Sequence, residues 1–329
     1  MTLVELMVAL AITALVMAAA VGIFTSQHRN YVRDRSEKEI IQDGVDVLKA
    51  LQTDLLEAGW SVRPNMAFLV VDGGPSGSDR IFINDVDLID PVRHATRMIE
   101  AAECPGCLRI AAISGSTITV DDPWESSPYP DEVLDINGDN QTDFTDNGTD
   151  FFVISDGTDP AKKVASVTAV ANTQLTLSSP IDGSLMAPAV AYCIDNGTST
   201  SVCHPSGSRE RFVLRRSDRT TQGRLLPIAE NIVDLQVTYQ DDNGNWYGEA
   251  GCAGSGAGSN FCTRKPFEPH HIRLLRVSVV LRSPKKDKDR ANDPAYCRPA
   301  VANRQAGSGP DECGYRYKVH TLVIHPRNT

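Results

Sequence analysis

From Met1 to Phe24 the chain is almost wholly apolar, and its one charged side chain there is Glu5. As a helix rising about 1.5 Å per residue, this run is long enough to cross a hydrocarbon core of about 30 Å. A carboxylate inside such a run costs on the order of 3 kcal/mol on insertion scales, so Glu5 is expected to have a partner and a purpose. From Gln27 to Glu57 the pattern changes to a charge-rich stretch with no proline and one glycine, Gly44. Ile41, Val45, Leu48, Leu51 and Leu55 recur there at steps of three and four, which predicts one apolar helical face. Ala58-Gly59 supplies a C-cap, because glycine accepts the left-handed conformation that ends helices. The pattern predicts one helix from Thr2 to Ala58, roughly 85 Å long. Residues 1–26 would lie in lipid or in the core of an assembly, and residues 27–58 would brace a globular head.

Beyond residue 58 the period switches from helix to strand. Val233, Leu235, Val237 and Tyr239 alternate with polar neighbours, and Asn243-Gly244 then offers a hairpin turn. Leu275, Val277, Val279 and Leu281 alternate likewise, as do Tyr315, Tyr317 and Val319 ahead of Leu322-Val323-Ile324. Shorter strands are expected at 68–71, 80–84, 108–113, 117–120, 151–155, 164–170 and 212–215. Between them run loops rich in Gly, Ser, Asp and Pro, notably 121–150, 195–208 and 251–260. No repeat or convincing linker divides residues 59–329, so the expected fold is α+β: one long helix and one β-rich head with long loops.

The opening run Met1-Thr2-Leu3-Val4-Glu5-Leu6 resembles the processed N-terminus of type IV pilins and type II secretion pseudopilins. In that family a prepilin peptidase cuts after a glycine, the new N-terminus is methylated, and the fifth residue is glutamate. Glu5 holds that place if Met1 is the mature first residue, and the lack of a basic leader before it agrees with a processed chain. The resemblance implies that Glu5 pairs with the α-amino group of a neighbouring Met1 inside a filament. Such a pair must offset a large desolvation cost, so it would mainly specify register. Many relatives carry a helix-loosening proline near position 22, where this chain has Gly22. In the head, Asp54–Trp60, Glu230–Tyr239 and Arg276–Pro284, with a terminal strand ending at Arg327-Asn328, look like the PilW-like minor pilins. The minor pseudopilin J of type II secretion is a related neighbour.

Eight cysteines, Cys104, Cys107, Cys193, Cys203, Cys252, Cys262, Cys297 and Cys313, all lie beyond the apolar run. An even count in the exported part suggests disulfides formed in an oxidising compartment. Short separations favour 104 with 107, 193 with 203, 252 with 262 and 297 with 313, each clipping one loop. A thioredoxin-like reading of Cys104-Pro105-Gly106-Cys107 would need a strand-to-helix junction, which residues 103–109 do not suggest. Haem attachment would need histidine where Leu108 stands, and zinc is less favoured than disulfides outside the cell.

The sharpest site-like motif is Asp135–Asp146. Asp135, Asn137, Asp139, Gln141, Asp143 and Asp146 fall at loop positions 1, 3, 5, 7, 9 and 12, the ligand spacing of an EF-hand loop for Ca²⁺. It resembles the dockerin-type calcium loop, with Asn140 in place of the sixth-position glycine and Asp146 in place of the bidentate glutamate. A solvated acidic turn is the plainer alternative. Asp241-Asp242-Asn243-Gly244-Asn245 reads better as a hairpin than as a metal site.

No catalytic constellation or phosphate-binding glycine loop is present. The formal charge of −10 argues against general nucleic-acid binding. The leading expectation is a structural minor pilin, not an enzyme, that helps start a type IV pilus and stays near its tip. It would sit in the inner membrane before joining a periplasmic and then extracellular filament. Its expected partners are other minor and major pilins, an inner-membrane assembly platform, the lipid bilayer and a large tip adhesin. A type II secretion pseudopilin, or an adhesin or receptor head displayed on a filament, is the alternative.

Overall fold

A computed structural model describes residues 3–74, 77–84, 104, 107–121, 151–171, 174–195, 212–217, 225–248, 269–287, 290 and 293–326. The helix α1 runs unbroken over Leu3–Glu57, within a residue of its expected limits. Its end follows from Gly59, which takes φ +85° and donates its N–H to the side-chain oxygen of Asn84 at 2.7 Å. A left-handed glycine and a borrowed side-chain acceptor thus stop the helix and turn the chain into the head.

The inward face of α1 keeps Leu48, Leu51 and Leu55 of the expected set but is rotated away from Ile41 and Val45. Ile40, Val47, Leu51, Leu55 and Ala58 are buried, whereas Ile41 and Val45 are exposed. Two adjacent isoleucines satisfy the helical period equally well. Gly44 lies on the inward side, against the His320 ring of the head.

The described residues of the head form two sheets. The smaller contains β11 (Ile232–Asp241), β12 (Trp246–Tyr247), β13 (Ile272–Arg282) and β14 (Tyr317–Ile324), in the order β12-β11-β13-β14. Leu235, Val237 and Tyr239 lie opposite Val279, Val277 and Leu275. Together with the buried side of α1 they form the largest core cluster. A bulge between Ile232 and Asp234 turns Ile232 rather than Val233 into that cluster. On β14 the inward positions are Leu322 and Ile324, while Val319 is exposed; Tyr315 lies before the strand.

The larger sheet has ten strands: β1 (Phe68–Val71), β2 (Arg80–Asn84), β3 (Leu108–Ser114), β4 (Thr117–Asp121), β5 (Phe151–Ser155), β6 (Val164–Ala171), β7 (Gln174–Leu177), β8 (Leu185–Asp195), β9 (Val213–Ser217) and β10 (Leu225–Ala229). Its pairings close a ring, β8-β3-β4-β7-β6-β5 and back to β8. The ring is filled by Leu108, Ile118, Val153, Val167, Leu175, Met186 and their neighbours, so it is a packed small barrel and not a pore.

The organiser of this sheet, β8, was not anticipated from sequence. Ala189 faces Asn84 of β2 on one edge and Phe152 of β5 on the other. Residues 190, 192 and 194 enter the helix-side core, while Ala187, Ala189 and Ala191 join a second cluster. Because those three are alanines, the rings of Phe82 and Phe152 meet across β8 with centroids 5.2 Å apart. The short strands β7, β10 and β12 are likewise additions to the strands expected from sequence.

Candidate functional site

The helix divides into a half packed on the head and a half whose large apolar side chains are exposed. Every large apolar side chain from Leu3 to Phe24 is exposed, with Leu3 at 75% and Phe24 at 71%. This segment spans roughly 33 Å, the length a bilayer core demands. It passes the length and composition test for a membrane span. Glu5 lies exposed in its first turn, where the helix dipole favours an anion. Met1, its expected partner in a neighbouring copy, lies outside the described residues.

Gly22 does not interrupt the helix. Nothing approaches within 4 Å of the place a Cβ would occupy there. Thr25 donates its hydroxyl to the carbonyls of Val21 and Gly22, both at 2.9 Å. Glycine here costs about 1 kcal/mol against alanine yet leaves the hydrogen-bond ladder intact.

The other half is fastened to the head by polar contacts that the sequence pattern did not single out. Tyr192 on β8 is fully buried and donates its hydroxyl to Asp54 of α1 at 2.7 Å. Arg216 on β9 donates to the same carboxylate oxygen at 2.9 Å. Burial, reinforced by the Asp54 charge, pushes the Tyr192 phenol far above its ordinary range, so it remains a donor. Nearly three turns back along α1 from Asp54, Gly44 leaves room for the His320 ring of β14. A Cβ at Gly44 would lie 2.5 Å from His320 Cδ2 and 2.9 Å from its Cγ. The imidazole is pushed below its ordinary pKa, first by burial and then by Lys318.

The chain from β13 to β14 is pinned by charge and by sulfur. Arg304 meets the fully buried Asp234 of β11 at 2.7 Å, and Arg298 meets Glu312 at 2.8 Å. Burial raises the Glu312 carboxyl, but the Arg298 hydrogen bond and the charges of Arg298 and Arg304 outweigh it and hold the group below its ordinary value. Cys297 and Cys313 are bonded to each other, as are Cys104 and Cys107. Cys193 is also disulfide-bonded, to a partner outside the described residues. Cys203, Cys252 and Cys262 lie outside them too.

The expected calcium loop, Asp135, Asn137, Asp139, Gln141, Asp143 and Asp146, lies wholly outside the described residues, between β4 and β5. Among the described residues no group of three His, Cys, Asp or Glu side chains could hold a metal. Asp241 instead organises the β11–β12 hairpin. Its carboxylate accepts from the amides of Asn243 and Asn245, at 2.9 and 2.8 Å, and from the Tyr247 hydroxyl at 3.1 Å. Gly244 takes φ +84° at the turn.

Residues 191–328 match the family model of type IV pilus-assembly protein W, PilW. Over that span the chain is PilW-like. The PilW-like part takes in the C-terminal end of β8, the strands β9 to β14, and the Arg298–Glu312 clasp. The helix and most of the barrel lie outside it. Among solved structures, the chain aligns with a type IV-like pilin, TTHA1219 from Thermus thermophilus, at 8% identity. That alignment covers 88% of this chain and 97% of the other with a TM-score of 0.34, a likeness that carries no argument. No curated protein matches the chain.

Proposed function

We propose that this chain is a structural minor pilin that helps initiate a type IV pilus and remains near its tip. One observation carries the reading: an apolar helical half with exposed side chains runs without a break into a half packed on a PilW-like head. An apolar surface of that length needs a bilayer before assembly and packed neighbouring helices afterwards. Partners of this kind are other minor and major pilins, and an inner-membrane platform that extracts the subunit. Glu5→Ala is expected to leave the chain in the membrane but to reduce its recovery in sheared filaments several-fold. Equal incorporation by immunoblot of sheared and membrane fractions would sink the assembly role of Glu5. Immunogold label spread evenly along the filament, rather than at one end, would remove the tip placement.

A second reading, a binding module displayed on the filament, is favoured by the barrel, most of which lies outside the PilW-like span. We infer for its β4–β5 insertion that Asp135–Asp146 binds one Ca²⁺. Without the ion four aspartates repel one another in a segment of little apolar content. Binding would stabilise the native head by about 2.7 kcal/mol at a hundredfold excess over Kd. Calorimetry should show calcium uptake that Asp135→Ala with Asp139→Ala abolishes. Identical melting in calcium and in chelator would leave only an acidic turn.

A further inference from the structure

We propose that the base of the head carries a binding groove for the phosphate headgroup of an anionic phospholipid. The proposal rests on the reading that Leu3–Phe24 stands in a bilayer before assembly. The groove, about 590 Å³, lies between the helix just past the apolar run and the chain that leaves β13. Arg29, Arg33 and Arg35 line it from the helix, and Lys285, Lys286 and Arg316 line it from the head. Only two carboxylates, Glu39 and Asp287, share the lining. Glu39 is engaged by Arg35 at 2.9 Å, and Lys286 donates to the carbonyl of Pro310. Among the described residues no carboxylate pairs with Arg29, Arg33, Lys285 or Arg316. Four cationic groups without an ion-pair partner among the described residues therefore line one groove, on a chain whose formal net charge is −10.

Position selects the ligand. Arg29 lies roughly 7 Å beyond Phe24 along the helix, and Arg33 roughly 6 Å further. The headgroup layer adds about 5–8 Å on each side of the hydrocarbon core. With Phe24 at the core boundary, Arg29 falls at the outer side of the headgroup layer, and Arg33 stands about 6 Å further out, from where a long side chain leaning toward the helix N-terminus reaches back to it. Val32 and Pro284 give the groove apolar walls between the cations. Guanidinium groups are the side chains best matched to phosphate oxygens. The groove continues into a second hollow of about 350 Å³ that shares Arg33, Ser36 and Arg316. A headgroup held there sets the height of the waiting subunit in the leaflet and must be released when the helix leaves for the filament.

The test uses the full chain in nanodiscs of phosphatidylcholine containing a minority of phosphatidylglycerol. After extraction, native mass spectrometry counts the lipids retained by the protein. Wild type and the control Lys38→Gln are expected to retain phosphatidylglycerol well above its share of the mixture. Arg29→Gln with Arg33→Gln, Lys285→Gln and Arg316→Gln should cut that enrichment about tenfold or more. Lys285→Glu alone, at an exposed loop position, should also lower it, which guards against misfolding of the quadruple variant. No enrichment in a wild type that still resists carbonate extraction overturns the groove and leaves the membrane span standing. Release by carbonate overturns both. Enrichment abolished by excess inorganic phosphate identifies a free-anion site and overturns the lipid as its source. Enrichment unchanged in the quadruple variant, with loss of filament entry instead, reassigns the groove to a neighbouring subunit.

Discussion

Replacing Gly44 by alanine sets two opposed terms against each other at one position. Alanine in a helix interior is favoured over glycine by about 1 kcal/mol, because glycine loses more backbone freedom and packs nothing. At Gly44 the new Cβ would lie 2.5, 2.8 and 2.9 Å from three atoms of the His320 ring. Contacts that short must be relieved, either by swinging the ring off the helix or by lifting α1 from β14. Lifting would open the packing of Val47 and Leu51, both fully buried, and overpacking of this kind costs typically about 1–3 kcal/mol. The clash is expected to win, so Gly44→Ala should destabilise the head by about 1 kcal/mol net. In a His320→Ala background the same change should stabilise it by up to about 1 kcal/mol. The coupling energy is then about 2 kcal/mol, well above the few tenths expected of independent sites. Urea unfolding of the full chain in detergent, followed by tyrosine and tryptophan fluorescence, measures all four corners of the cycle. If Gly44→Ala alone raises the midpoint, or if the two changes add, the close approach of helix and β14 is not the constraint argued here.

Tyr192→Phe should cost about 1 kcal/mol, because Asp54 keeps Arg216. Asp54→Ala should cost more, about 2–3 kcal/mol, since it strands both a half-buried guanidinium and a buried phenol; equal losses for the two variants would refute the shared acceptor. Two groups should make the head acid-sensitive in separate windows. His320 is held below its ordinary value of 6.5, so its neutral form contributes stability that falls away as pH drops below that value. Glu312 is held below its ordinary value of 4.5, so its contribution is complete above that pH and is lost on further acidification. Melting temperatures across pH 7 to 3 should lose the upper step in His320→Ala and the lower step in Glu312→Gln. A wild-type profile unchanged by both variants would show that neither group carries the dependence.

Much of the architecture was legible because it depends on neighbours in sequence. The helix declares itself through an apolar run, a 3.6-residue period and Gly59, all of which act within a turn or two. Strands β11 and β13 alternate cleanly because one face meets the core and the other does not. Local spacing does not choose between Ile40 and Ile41, which are equal under that period, whereas Gly44 meets the ring of a histidine 276 positions away. Strand β8 was missed for a related reason. Its alternation is of alanine with larger residues, and Pro188 sits within it. Such a strand reads as a loop until Phe82 and Phe152 are seen to need the space those alanines leave.

The sequence alone therefore determined the elements whose signals are local: a membrane-length helix continuing into an amphipathic one, the pilin-like opening with Glu5, and two alternating strands. Tertiary structure alone decided the closure of six strands into a barrel, the clasp of Asp54 by Tyr192 and Arg216, and the meeting of helix cations with Lys285 and Arg316. Those features join residues far apart in the chain, and pairing across that distance leaves no periodicity in either partner. Propensity and hydrophobic period report what a segment prefers, while the partner it finds is set by which buried faces and charges remain unmatched once the chain has folded.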